Sequence, residues 1–347
     1  MSKICILGDT HFGSSNDSPF FLNNSLSFFQ NIFFPYLRQN SITTVVHLGD
    51  VFDRRKFINL NTLNRVRNEF LKPFYDGEFE LHCIPGNHDV YYKNTNKVNS
   101  LNELLDNSKI KIYNDPVTVD LFGYDVGFIP WITADNEQRC LDYIQDKTCN
   151  YLFGHLELKG YEVTRGVSSL EGNDPAVFSD YERVFSGHFH CKQESKNIFY
   201  VGTPYQLNFS DINETKGFHI LDLNTKRITF IQNENRIFKH IKYNDQAKQM
   251  LEIDFSSYEN CFVKVIVENK TQVYTFERFM ESLNSISVAG IDVIEEGMFE
   301  LSSNELENSY DDTLTIINKE IDEMSDVENK QKLKKLIHDL YVESLTI

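Results

Sequence analysis

The chain has 347 residues, 41% of them hydrophobic, and a formal net charge of −17 at pH 7. That length and apolar content suit one large domain with a smaller one, or two domains with real cores, and exclude a disordered chain. The charge argues against a protein that coats nucleic acid unaided, because phosphate binding draws on lysine and arginine releasing counterions; bound cations, a local basic patch or a basic partner can still supply that attraction.

No apolar run reaches the roughly 18 residues a membrane-spanning helix needs, and Met1 to Asp9 lacks the charged start and small-residue cleavage site of a secretory signal. A cytoplasmic protein with no membrane partner is expected. The six cysteines, at 5, 83, 140, 149, 191 and 261, form no C-x-x-C pair, and several sit inside apolar runs. Free buried thiols are expected, not a disulfide frame or a zinc knuckle.

In chain order, "KICILGD", "ITTVVHLGD", "FELHCIPGN", "CNYLFGH" and "RVFSGHFH" share one design: a short apolar, β-branched run that stops at glycine beside a polar residue. Each reads as a buried strand ending in a loop. Helical stretches over Asn23 to Arg38 and Asn61 to Lys72 separate the first three, which predicts β-α-β-α-β with a parallel sheet. In the first helix Leu22, Leu26, Phe29, Phe33 and Tyr36 form one stripe, and Phe21, Phe28, Ile32, Phe34 and Leu37 widen it to about two thirds of the circumference. One sheet face cannot cover that band, so the helix is either buried on two sides or contributes a homodimer contact; Pro35 is expected to kink it or end it early.

After residue 190 the pattern is β-rich, with strands in "NIFYVGTPYQL", "GFHILDL" and "RITFIQN". A boundary near residue 245, in "KYNDQAKQ", precedes a small unit: a strand in "ENCFVKVIVEN", a helix around Tyr274 to Leu283, and strands near "GIDVIEE" and "MFELSS". The tail carries two amphipathic stripes, Leu314, Ile317, Ile321 and Met324, then Leu333, Leu336, Ile337, Leu340 and Tyr341, joined by "SDVEN". Two such helices either fold back on the body or dock on a partner's helices.

Polar residues gather where the strands stop, the position at which α/β sheets build their sites. They are Asp9-Thr10-His11, then Gly49-Asp50 with Asp53 three residues on, then Gly86-Asn87-His88-Asp89, Gly154-His155, and His188 with His190. On a regular strand His188 and His190 would point to the same side. Each fragment alone is ordinary: the aspartates can cap loops, Asn87 can sit in a turn, and a histidine can be a satisfied core residue. The ordered series behind five apolar strands is not ordinary, because burying that many polar groups is costly without a compensating ion. Two divalent cations about 3.5 to 4 Å apart need a shared anionic ligand, a part that Asp50 can play. Imidazoles with an asparagine oxygen and no thiolate suit manganese, iron or zinc better than calcium.

These residues, with the flanks "LGDTHFG", "HLGDVFD", "IPGNHDVYYKN", "FIPWIT", "FGHLELKGY", "FSGHFH" and "YVGTPY", resemble the calcineurin-like metallophosphoesterases, and among them the SbcD-type double-strand-break repair nucleases, phage members included. The resemblance covers roughly residues 1 to 240. It implies an α/β fold, a calcineurin-like metallophosphoesterase β-sandwich flanked by helices, with a small α+β capping domain and a C-terminal helical tail. It implies a nuclease domain over residues 1 to 244, a DNA-steering cap over 245 to 307, and a tail over 308 to 347 that binds an SbcC-type SMC-like ATPase. It also implies that Asp9, His11, Asp50 and His190 hold one metal and that Asp50, Asn87, His155 and His188 hold the other. The metals would be two Mn2+, with Mg2+ as a substitute, supplying the nucleophile for hydrolysis of a DNA phosphodiester. His88 would protonate the leaving oxygen, with Asp89 as its orienter. DNA, double- or single-stranded, is the expected substrate, and a homodimer is the expected assembly. Some relatives have histidine where this chain has Asp53, and a proline near the place of Arg54, Arg55 and Lys56, which leaves the balance of exonuclease and endonuclease activity open. The competing readings are a phosphatase or phosphodiesterase acting on a substrate other than DNA, and a non-catalytic scaffold.

Overall fold

The structure, a computed structural model, describes residues 2–247, 253–295 and 330. The three leading apolar runs form the strands Lys3–Leu7, Thr44–His47 and Glu80–Cys83, paired in parallel through helical crossovers as the sequence predicts. Gly217–Asp222 and Arg227–Gln232 extend this sheet antiparallel on one side, and Lys111–Ile112 extends it in parallel on the other. A second six-stranded sheet runs in the order Gln193–Ser195, Ile198–Tyr200, Arg183–Gly187, Tyr151–His155, Tyr124–Ile129, Val117–Leu121.

Alternation along the strands explains the layering. Ile4 and Ile6 join Val46, Phe128, Phe153, Phe185 and Leu221 in one buried cluster drawn from both sheets. Cys5 and Leu7 face the other way, into a cluster with the helices. Leu152 and Val184 turn outward from the second sheet to meet Cys140 and Ile144 of the helix Glu137–Asp146. The result is a sandwich of two sheets with helices on both outer faces. All six cysteines are buried free thiols.

The phenylalanine-rich helix continues through Pro35, contrary to the expected early stop. It runs as Pro19–Phe28, a π-helical turn Phe29–Phe33, and Phe34–Gln39. Proline lacks an N–H and its ring presses on the carbonyl four residues back, so a regular α-turn there is costly; the widened turn, in which the Phe34 amide reaches the Phe29 carbonyl, relieves that pressure. The next helix repeats the device, with a π-turn Arg67–Leu71 just before Pro73. The aromatic band of the first helix is buried within the chain on more than one side. Phe29 meets Phe70 at 4.4 Å between ring centroids, Phe34 meets Phe79 at 5.5 Å, Phe33 meets Phe218 at 5.0 Å, and Phe21 stacks on Phe262 at 5.1 Å. Its exposed positions beyond Pro19 are polar, Asn23, Ser27, Gln30, Asn31, Arg38 and Gln39, and Ile32 and Tyr36 are half-buried.

The chain divides into two compact units. The first is Met1–Lys239 with Ser256–Val263 and Ile286–Gly290; the second is His240–Phe255, Lys264–Ser285 and the chain from Ile291 on. A three-stranded sheet in the order Phe238–Asn244, Phe262–Asn269, Gly290–Glu295 accompanies the helix Val273–Asn284. Within the second unit Tyr243 packs against Phe276 and Phe279 at 4.9 and 5.0 Å. The strand expected at "MFELSS" and the two tail stripes lie outside the described residues. Among the described residues no helix is long and apolar enough to cross a membrane.

Candidate metal centre

The carboxyl ends of five strands from both sheets meet in one place. Asp9 and His11 follow Lys3–Leu7, Asp50 follows Thr44–His47, and Asn87, His88 and Asp89 follow Glu80–Cys83. His155 closes Tyr151–His155, and His188 and His190 follow Arg183–Gly187. Three of these residues hold left-handed backbone, His11 at φ 43°, Asp50 at φ 52° and His188 at φ 86°. Non-glycine residues persist there only when their surroundings over-determine them. Here those surroundings are hydrogen bonds between loops: the His11 amide donates to the Asp50 carbonyl at 3.0 Å, the His88 amide to Asp50 Oδ1 at 2.7 Å, and the His188 amide to Asp9 Oδ1 at 2.9 Å. Position 86 admits only glycine, since a Cβ there would stand 2.2 Å from Asp50 Oδ1.

Two groups of converging ligand atoms make up the expected centre, Asp9, His11 and His190 in one, Asp50, His155 and His188 in the other; a third, His11, Asp53 and His88, shares His11 with the first. His11 Nε2 and His190 Nε2 are 3.0 Å apart. Asn87 Oδ1 joins the second group, 2.8 Å from His155 Nε2 and 2.9 Å from His188 Nδ1. Asp50 Oδ2 lies 3.7 Å from His11 Nε2 and 3.4 Å from His155 Nε2, so one carboxylate oxygen faces both groups. His188 and His190 do not share a side. The strand ends at Gly187 and the positive φ of His188 turns the chain, sending one ring to each group.

The donor set fits a pair of borderline divalent ions on three grounds. Asp9 Oδ2 is buried and has no hydrogen-bond partner among the described residues, a costly state for a carboxylate oxygen unless a cation faces it. His155 Nδ1 donates to the Leu48 carbonyl at 2.7 Å, which leaves the Nε2 lone pair pointing inward. The ligand atoms are nitrogen and oxygen alone. Charge is finely divided among them. With no ion bound, burial works against a charged His155, but Asp50 and Asp9 outweigh it and raise the ring to about 9, so a cation at Nε2 would take the place of a proton. Burial together with the neighbouring His155 holds His188 neutral, down to about 3.

His88 stands over His11 in a T-shaped ring contact, centroids 4.7 Å apart. Its Nδ1 meets the Asp53 carbonyl at 2.6 Å. The expectation that Asp89 orients it is corrected here: the buried Asp89 carboxylate accepts from the amides of Gly86 at 2.9 Å and Val51 at 3.2 Å and from Ser100 Oγ at 2.9 Å, tying the Asp50 and Asn87 loops together. Asp53 Oδ1 also approaches His11 Nδ1 to 3.2 Å.

Three supports were not read from the sequence. His47 Nδ1 accepts from the Gly49 amide at 3.2 Å and its Nε2 meets Thr10 Oγ1 at 3.1 Å; Thr10 in turn donates to the Val51 carbonyl at 3.1 Å. Trp131 packs on His188 and His155, with centroids 5.0 and 5.7 Å away. The only earlier signals were a histidine inside an otherwise apolar strand and the chain's single tryptophan. Next to the centre, Arg54, Arg55, Lys56, Phe57 and Tyr91 line a pocket of ≈ 200 Å³.

Residues 2–192 match the family model for calcineurin-like phosphoesterases. The chain is 32% identical to exonuclease subunit 1 of Enterobacteria phage T4 over 350 aligned positions, covering 99% of both proteins. It is 25% identical to the SbcD component of the SbcCD nuclease of Staphylococcus epidermidis, covering 56% of this chain and 57% of that one. With the same component from Staphylococcus saprophyticus the identity is 23%, over 65% of this chain and 67% of the relative.

Proposed function

The chain belongs to the calcineurin-like phosphoesterase family, and from that membership we propose that it is the metal-dependent nuclease subunit of a DNA recombination and repair complex, hydrolysing phosphodiesters at DNA ends. The observation that carries the reading is the paired ligand cluster with Asp50 Oδ2 facing both halves. The end-to-end likeness to a phage exonuclease subunit supports DNA as the substrate.

In this proposal Asp9, His11, Asp50 and His190 hold one Mn2+, and Asp50, Asn87, His155 and His188 hold the other, with Mg2+ as a substitute. When bound, the ions supply an activated water and offset phosphate charge. The chain's own residues do the rest. His88, with its Nδ1–H held by the Asp53 carbonyl, gives the leaving oxygen a proton from Nε2 in its imidazolium form, against which burial works by lowering the ring's pKa. Asp89 holds the two loops that present Asp50 and Asn87. Arg54, Arg55 and Lys56, with Tyr91, offer a basic and aromatic flank for the nucleic-acid strand in a chain that is otherwise acidic.

The proposal extends to assembly. Residues 245 to 307 act as a cap that steers DNA, residues 308 to 347 bind an SbcC-type SMC-like ATPase, and the nuclease works as a homodimer. The names of the relatives, which call each of them one subunit of a nuclease, support a machine of more than one component. The test is cleavage of linear duplex and single-stranded DNA with Mn2+, with and without the ATPase. Metal-dependent loss of DNA ends is expected; an inert protein on DNA that turns over a phosphopeptide would overturn the reading in favour of a phosphatase.

A further inference from the structure

Lys216 is 3% exposed, and so is the side chain of Asp211, with which it pairs at 2.5 Å. A buried ion pair seldom improves stability over an apolar pair of similar size, so its presence calls for a second role. Lys216 Nζ also donates to the backbone carbonyl of His190, at 2.9 Å. The same carbonyl accepts from the Thr203 amide at 3.3 Å, and Gly202, at φ 71°, passes so close that a Cβ there would lie 3.0 Å from it. Asp211 is itself fixed: Oδ2 accepts from the amides of Leu207 at 2.8 Å and Asn208 at 3.3 Å, within a capping box at Phe209–Asn213. The strand before His190 has ended at Gly187, so sheet hydrogen bonds no longer hold this residue in place.

We infer that Lys216, anchored by Asp211, is a positioning residue that sets the His190 backbone and thereby the ring that completes the Asp9, His11 and His190 group. The ammonium group suits the task because it has three donors, enough for the Asp211 carboxylate and the carbonyl together, and because a charge-assisted bond is stronger than an amide bond to the same carbonyl. His155 and His188 are held by other contacts, so the effect falls on one half of the centre. This inference rests on the proposed role of His190 as a metal ligand.

The test is Mn2+ titration by calorimetry and electron paramagnetic resonance on the full chain, comparing wild type, Lys216→Met and the double variant Lys216→Met/Asp211→Asn. The double variant leaves no unpaired buried charge, so it separates folding from positioning. Wild type is expected to bind two ions as a spin-coupled pair. The double variant is expected to keep one ion at wild-type affinity and to bind the other at least tenfold more weakly, with the coupled signal replaced by that of a single ion. Two ions at unchanged affinity, or both weakened equally, would overturn the inference while leaving the dinuclear reading standing. A wild type that binds no pair would remove that reading and the inference with it. If neither Lys216 variant folds, Gly202→Ala gives the readout, because its methyl group presses on the same carbonyl, and on the Lys192 amide beside it, at a left-handed φ, and leaves the ion pair alone. Selective loss of one ion supports the inference; no change in either sinks it.

Discussion

His88 is the residue whose replacement should separate binding from turnover. It is absent from the proposed ligand sets, and the contact at its Nδ1 is to a backbone carbonyl, so His88→Gln removes the proton donor and leaves the ligands in place. We expect this variant to retain both Mn2+ ions by elemental analysis and to lose at least about a hundredfold in the rate of DNA cleavage, the usual scale for a general acid. Loss of metal in the variant would show that His88 is a ligand. The histidines and carboxylates were legible in the sequence because each stands just past an apolar run; their supports were not. Nothing in "GNHD" tells whether Asp89 turns toward its neighbour or back onto the amides of Val51 and Gly86, since that depends on where a strand 38 residues away ends. His47 was hidden for the same reason, as its partner Thr10 sits in another loop.

Among the elements, the two helices show how a local rule is overridden locally. Proline inside a regular helix costs about 3 kcal/mol, and both prolines are preceded by a widened turn that already gives up the conflicting bond. Pro35→Ala is therefore expected to change stability by less than about 1 kcal/mol in urea unfolding. Deleting Asn31 takes out the extra residue of that turn, leaves Phe33 and Phe34 in register and puts Pro35 against a regular α-turn, so it should cost about 3 kcal/mol in the same experiment. Heptad-like spacing revealed the helix and its broad apolar band, but an extra residue in one turn leaves no mark in such spacing. The first sheet adds a dependence on acidity through His82, which stacks on Phe128 and bonds the Tyr113 hydroxyl at 2.8 Å. Burial lowers its pKa from 6.5 to about 4. The unfolded chain takes up a proton in that window and the folded chain does not, so the contribution of His82 is complete above about pH 6.5 and is lost as pH falls toward 4. Urea midpoints measured from pH 7 to pH 4.5 should drop less steeply in His82→Gln than in wild type, by at most ~1.4 kcal/mol per pH unit. Equal slopes would remove His82 as the cause.

For the whole molecule, the sandwich was legible only through family likeness. Apolar runs announced most of the central strands, but neither the hairpin Val117–Leu121 with Tyr124–Ile129 nor the pairing of strands into two facing sheets can be read from periodicity, because strand partners are set by packing across the molecule. The net charge of −17 sets an expectation at this scale too. Truncation after residue 308 should leave Mn2+ content unchanged and abolish co-purification with the SMC-like ATPase; an intact complex would place the contact elsewhere. With the ATPase removed, binding to duplex DNA should be weaker throughout and fall less steeply between 50 and 200 mM salt than that of the complex, measured by fluorescence anisotropy, since an acidic chain alone makes few phosphate contacts and releases few counterions.

Asp9, His11, Asp50 and Asn87 come from one sheet, while His155, His188 and His190 come from the other. On the proposed chemistry the ions then act as rivets through the two plates of the sandwich, and stripping them with a chelator should let the plates part at a lower temperature. Melting temperature becomes a gauge of loading: each tenfold rise in free Mn2+ above saturation adds about 1.4 kcal/mol per site to the hold between the plates.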